Sequence, residues 1–126
     1  MREVIHTDDA PDAVGAYSQA IGTDELVFTA GQIALTPEGE SLVDASIEEQ
    51  TRQALDNISA VLTASGSGLE HVVKVTVFLE DIDGFEAMNE VYASYFDTAP
   101  PARSALEVGA LPKGASVEIE AVALRP

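Results

Sequence analysis

An α+β fold, with two helices laid on one face of a sheet of about six strands, is what this sequence predicts. Three observations carry that reading. Two segments place apolar residues at helical spacing, and several others are β-branched runs that alternate in character. Their order along the chain, β-β-β-α-β-α-β-β, mixes the two kinds instead of repeating a βα unit.

Taken in order, "REVIHT" (2–7) reads as a short strand and "DDAPDAVGAY" as a loop. "SQAI" and "ELVFTAG" read as two strands joined by a turn at Gly22–Asp24, and "TPEGES" (36–41) as a further turn. Ser46 with Glu49 three residues on forms a capping box, so a helix starts there. Ile47, Thr51, Ala54, Leu55, Ile58, Val61 and Leu62 then share one face, and Gly66 is the stop. "HVVKVTVFLE" (71–80) is a strand in which Val73, Val75, Val77 and Leu79 alternate with Val72, Lys74, Thr76 and Phe78. Asp83 and Glu86 suggest a second capping box, opening a helix that presents Phe85, Met88, Tyr92, Tyr95 and Phe96. Pro100 and Pro101 lie beyond its end, and "ARSALEV" and "SVEIEAVALR" close the chain as strands.

The 126 residues suit a single domain, 1–126, with one core. There is no cysteine, which excludes disulfides, thiolate metal sites and a cysteine nucleophile. No stretch of 18 apolar residues and no signal-peptide core are evident, so a soluble, cytoplasmic protein away from any membrane is expected. Twenty-two acids against six Lys and Arg leave a net charge of −16. Such a surface repels nucleic acid, because binding it depends on cations that neutralise phosphate. The acids are spread over nearly every segment, as expected of a protein adapted to a salty, halophilic cytoplasm where screening softens self-repulsion.

Two helices can cover one face of the sheet and no more. The second face is half apolar: in the last strand Glu118, Glu120, Val122 and Leu124 alternate with Val117, Ile119, Ala121 and Ala123. A bare face of that kind is a large adhesive patch, so a closed oligomer is expected.

Arg103 is the residue that invites a chemical reading. Positive charge is scarce, yet this arginine heads a short apolar strand just past the Pro-Pro pair. Glu118 and Glu120, two apart, point to the same non-helical face of the last strand. An antiparallel pairing across "GALPKGA" is one way to bring Arg103 near one of them. Consumed by a glutamate, Arg103 is an internal salt bridge; left free beside one, it is a carboxylate receptor next to a general base. Spacing alone leaves both readings open. His6 and His71 have no ligand partners at metal spacing, "AGQIA" with its single Gly31 is no phosphate loop, and Tyr92 and Tyr95 read as core.

Six segments in register resemble one family. "GAYSQAI", "FTAGQIA", "NISAVLTASGSGLEHVVKVTVFLEDI", "MNEVYASYF", "PARSALEV" and "VEIEAVA" are similar, in order and spacing, to the RidA (YjgF) imine/enamine deaminases over essentially the whole chain. The resemblance implies a chorismate-mutase-like α+β fold with a mixed sheet, and a homotrimer around a central barrel with sites between subunits. It implies hydrolysis of 2-imino acids of the 2-iminobutanoate and 2-iminopropanoate class to 2-oxo acids and ammonia, with no metal or organic cofactor. Carried over by position, Arg103 binds the substrate carboxylate and Glu118 positions or activates the attacking water. Tyr17 lines the site from the adjacent subunit, Asn89 belongs to the pocket, Gly31 offers a backbone contact, and Ala105 stands where many members have cysteine. Ala16 replaces a proline of the family pattern and Ala30 a serine, which removes a hydroxyl near the ligand. A ligand-binding protein that senses small 2-oxo acids without turnover is the alternative, and a nuclease or translation inhibitor ranks last because of the charge.

Overall fold

The computed structural model describes residues 1–126, and six strands form one sheet. They are β1 (Glu3–Ile5), β2 (Ala20–Gly22), β3 (Leu26–Thr29), β4 (Val72–Leu79), β5 (Ala102–Glu107) and β6 (Val117–Leu124). Helix α1 spans Ile47–Ala64 and α2 spans Phe85–Tyr95. The sheet order is β1-β2-β3-β6-β4-β5, antiparallel throughout except for β4 and β5, so it is mixed.

The pairing of the last strands corrects one expectation. β5 does not lie beside β6: it pairs in parallel with β4, while β6 inserts between β3 and β4. Parallel neighbours need a long crossover, and α2 supplies it, so β4-α2-β5 is a βαβ unit. The "GALPKGA" segment therefore carries the chain past β4 instead of closing a hairpin.

Ser46 caps α1 by accepting from Glu49 N at 3.2 Å. The helix ends in a Schellman motif: Gly66 adopts φ +85°, Ser67 N donates to Leu62 O, and Gly66 N to Thr63 O. The second capping box does not form. Asp81 Oδ1 instead accepts from Asp83 N at 2.9 Å and caps a single 3-10 turn, Ile82–Gly84, that leads into α2. The aspartate two residues earlier takes the role because the chain turns before the helix begins.

The core lies between the sheet and the helices. Ala54, Leu55, Ile58, Val61 and Leu62 of α1 meet Val75, Val77 and Leu79 of β4 and Val117, Ile119 and Ala123 of β6, all essentially without solvent exposure. A register shift between Val72 and Lys74 alters the expected alternation at the start of β4. Val72 turns inward and Val73 is left 41% exposed, because one extra residue reverses side-chain direction.

The opposite face is open in this chain. Cross-strand partners share a face, so one row runs Val4–Ile21–Phe28–Val122–Lys74–Ala102 across all six strands. Glu118–Phe78–Leu106 and Glu120–Thr76–Ser104 run alongside it. Phe28 is 44% exposed there, and Leu106 and Leu124 are exposed too.

Arg125, just past β6, ties the C-terminal end of the chain to β1, the β2–β3 turn and the end of α1. Its Nε donates to Ser65 O at 3.0 Å, its Nη1 to Thr23 O at 3.1 Å, and its Nη2 pairs with Glu3. A Cβ at Gly22 would lie 3.1 Å from the guanidinium carbon, so a side chain there would press on this clasp.

Candidate active site

The site residues expected from the sequence fall into two groups on opposite faces of the sheet. Glu118 is level with Phe78 on the open face, whereas Arg103 is level with Val75 and Ala121 on the helical face. Within one chain they do not meet. Tyr17 and Gly31 join Glu118; Asn89 joins Arg103, and Ala105, two residues along β5, shares Arg103's face.

The Glu118 group begins with an irregularity in the sheet. Phe28 pairs with Val122 and Gln32 with Ile119, so residues 29–31 lie opposite only residues 120 and 121. The extra residue bulges the chain beside β6, and Thr29 Oγ1 takes the bond from Ala121 N at 3.0 Å. Gly31 sits in that bulge against the Glu118 side chain. A Cβ on Gly31 would lie 2.8 Å from the Glu118 carboxyl carbon, so any side chain there would displace the carboxylate.

A loop closes over this side and is held by Gln19. Its Oε1 accepts from Thr7 N at 2.7 Å, and its Nε2 donates to Thr7 O at 3.0 Å and Pro11 O at 2.8 Å. The result is a cavity of about 590 Å³ whose lining includes Pro11, Val14, Tyr17, Ile33, Lys113 and Glu118. Tyr17 stands at its edge, more than half exposed. Burial pushes the Glu118 carboxyl above its ordinary range, and the nearby Glu120 charge adds to the rise. A carboxylate so placed is a stronger proton acceptor than an exposed glutamate.

The Arg103 group is built on α2. Arg103 is half-buried, and its guanidinium carbon lies 4.7 Å from the centroid of the Tyr92 ring and 5.3 Å from that of Phe85. Its Nη1 donates to Asn89 Oδ1 at 2.6 Å. No carboxylate lies within 4 Å of it; the ion pairs of the chain are His6–Asp8, His71–Glu70 and Arg125–Glu3. The fork is stacked, aimed and free, with a cavity of about 360 Å³ beside it that Pro100 and Pro101 help to line.

Sequence reasoning missed the residues that hold these groups. Gln50, buried in α1, donates to Val43 O and Ala45 O and exchanges bonds with Ser116, two residues before Glu118. Asn57 donates to Ile33 O and Leu35 O behind the cavity. The signal was present: both are polar residues on the apolar side of a helix, facing loops whose carbonyls lack strand partners. Tyr92 is buried as expected, yet it serves as the platform for Arg103. His6 also differs from expectation, since Asp8 and Asp12 join it with ligand-type atoms within 4.8 Å of one another, all exposed.

Comparison with known proteins places this architecture. Residues 7–125 match the family described as Endoribonuclease L-PSP. A RutC family protein of Pyrococcus horikoshii is 50% identical over 125 residues, with 99% of each chain covered. The 2-iminobutanoate/2-iminopropanoate deaminase of Homo sapiens is 46% identical, covering 99% of this chain and 91% of that protein. Among solved structures, E. coli TdcF with bound serine superposes with a TM-score of 0.93 at 39% identity, covering 98% of this chain and 99% of that one. Yeast Mmf1 gives a TM-score of 0.96 at 38% identity, with 100% of both chains covered. The chain belongs to the Endoribonuclease L-PSP family, the RidA (YjgF) family that its sequence resembles.

Proposed function

We propose that this protein is a hydrolase of small 2-imino acids, of the 2-iminobutanoate and 2-iminopropanoate class, and that its active sites form between the subunits of a homotrimer. The observation that carries the reading is the free guanidinium of Arg103, held by a neutral amide and two rings. An arginine kept from every carboxylate of a protein with 22 acids is a receptor for a carboxylate from outside. The names of relatives such as the human deaminase support the same chemistry, and TdcF binds serine, a small molecule with a carboxylate.

The split between the two faces supports the assembly. If the open sheet face packs on neighbouring copies, the Glu118 cavity of one subunit can face the Arg103 group of the next. Arg103 then grips the substrate carboxylate in bidentate fashion, with Asn89 fixing the fork. Glu118, ionised, takes a proton from water as the oxygen adds to the iminium carbon. Glu118 returns its proton to the nitrogen, the tetrahedral carbinolamine collapses as its hydroxyl gives its proton to the freed Glu118 carboxylate, ammonia leaves, and a 2-oxo acid remains. General base catalysis of this kind contributes on the order of 10²–10⁴-fold. The family description names a ribonuclease, but a net charge of −16 disfavours an RNA substrate.

The test is a coupled assay in molar salt. Threonine dehydratase generates the enamine of 2-iminobutanoate, and 2-oxobutanoate is followed with wild type, Arg103→Ala and Glu118→Ala. Acceleration that both substitutions abolish supports the deaminase. Binding of 2-oxobutanoate without acceleration supports instead a sensor of 2-oxo acids.

A further inference from the structure

Only six residues of the chain are Lys or Arg. Arg125 is spent on Glu3 and on the carbonyls of Thr23 and Ser65, Arg103 is stacked on α2, and Lys74 Nζ donates to Ser104 Oγ at 2.9 Å on the open sheet face. Arg52 is exposed on α1 and Arg2 lies at the exposed N-terminus. Lys113 is the sixth, and it is the cation that lines the cavity holding Glu118. The other charged groups lining that cavity, Asp12 and Glu118, are acids, and Glu120 adds a third negative charge near Glu118. No carboxylate lies within 4 Å of the Lys113 ammonium.

The backbone at Lys113 is also unusual. It adopts φ +57° and ψ 18° in the Pro112–Gly114 turn, a left-handed conformation that glycine takes at no steric cost. Ala99 is the other non-glycine residue with positive φ, and it precedes the prolines beside Arg103. A lysine in a lysine-poor chain, kept where glycine fits better, needs a reason in its side chain.

We propose that Lys113 is a substrate-capturing residue, whose ammonium draws the carboxylate of an anionic substrate into the cavity that holds Glu118. This rests on the deaminase reading and deepens it. An anion approaching Glu118 meets the field of Asp12, Glu118 and Glu120, and Lys113 opposes that field at the cavity wall. Arg103 supplies the fixed bidentate grip; Lys113, on a flexible stem, supplies a mobile point charge that acts earlier. Its loss therefore falls on affinity more than on the chemical step.

Its conformation provides a clean control. Lys113→Gly removes the charge and relaxes the turn, Lys113→Gln removes the charge alone, and Lys113→Arg keeps it. The experiment measures 2-oxobutanoate binding by calorimetry for wild type and the three variants, with turnover in the coupled assay and thermal unfolding in parallel. The expected result is a Kd raised about tenfold in both Lys113→Gln and Lys113→Gly, the scale of one charge-assisted contact, and restored in Lys113→Arg. The loss of kcat/KM is carried mostly by KM, and Lys113→Gly unfolds at a higher temperature than wild type even as it binds more weakly. Wild-type affinity in Lys113→Gly would overturn the proposal, because the residue would then serve only the turn. A wild type that fails to bind 2-oxobutanoate would overturn it as well. A wild type that binds without turnover defeats the deaminase reading alone, and the ratio of variant to wild-type Kd still judges Lys113.

Discussion

Arg103 and Asn89 are joined by a 2.6 Å hydrogen bond from guanidinium to amide oxygen, and this neutral partner leaves the arginine's charge unspent. Asn89→Asp places a carboxylate at the same spot and consumes it. The expected outcome is a protein that unfolds no more easily than wild type yet binds 2-oxobutanoate at least ~10-fold more weakly, since a charged pair replaces the free fork. Calorimetric titration beside a thermal melt checks this. Undiminished binding in Asn89→Asp would mean that Arg103 is not the carboxylate receptor.

Tyr92 contributes its ring and not its hydroxyl. The buried oxygen has no hydrogen-bond partner, and burial pushes the phenol's pKa up despite the opposing charge of Arg103. Tyr92→Phe therefore keeps the platform and removes an unsatisfied polar group, stabilising the protein by about 1 kcal/mol with ligand binding intact. Tyr92→Leu loses the face beneath the guanidinium, worth about 0.5–2 kcal/mol in binding. Denaturant unfolding and calorimetry separate the two variants.

The element order, and the strong periodicity of α1, were legible in the sequence because each strand and helix declares itself by local spacing. The sheet order was not. Neighbours in sequence suggested β5 beside β6, and only the length of the α2 crossover, read as a βαβ connection, argues for β5 beside β4. That pairing decides the site, because it puts Arg103 level with Val75 on the helical face and away from Glu118. The bulge at residues 29–31 was hidden for a similar reason: a one-residue mismatch between β3 and β6 is a property of the pair and not of either segment. Arg103 and the Glu118–Glu120 pair stood out by charge and alternation, but the choice of Glu118 over Glu120, and the roles of Gly31, Tyr17 and Asn89, came only through resemblance, while Gln19, Gln50 and Asn57 were visible as misplaced polar residues and passed over.

Gly31→Ala tests the fit of the Glu118 carboxylate. The added methyl competes with the carboxyl for the same space, so Glu118 must swing away while the core, on the other face, stays intact. The expected loss is about 100-fold in kcat with a melting temperature near that of wild type. Full activity in Gly31→Ala would show that the position of this carboxylate does not matter to the reaction.

The raised pKa of Glu118 has a defined sign. Folding favours its protonated form, so its contribution to stability is present below the ordinary Glu value of 4.5 and is lost as pH rises through the folded pKa. Glu118→Gln should therefore raise the melting temperature relative to wild type at neutral pH and leave it nearly unchanged at about pH 4. The acid limb of the wild-type rate profile should lie above 4.5. Glu120→Gln should shift that limb downward, because the Glu120 charge is part of the cause.

The most direct measurement uses two dead variants. Arg103→Ala retains the Glu118 half of the site, and Glu118→Ala retains the Arg103 half. Unfolded together in equal amounts, refolded and assayed for imine hydrolysis, they should recover roughly a quarter of wild-type activity, the fraction of subunit boundaries that pair two intact halves. Activity no higher than that of either variant alone would contradict the account, because each site would then belong to one chain.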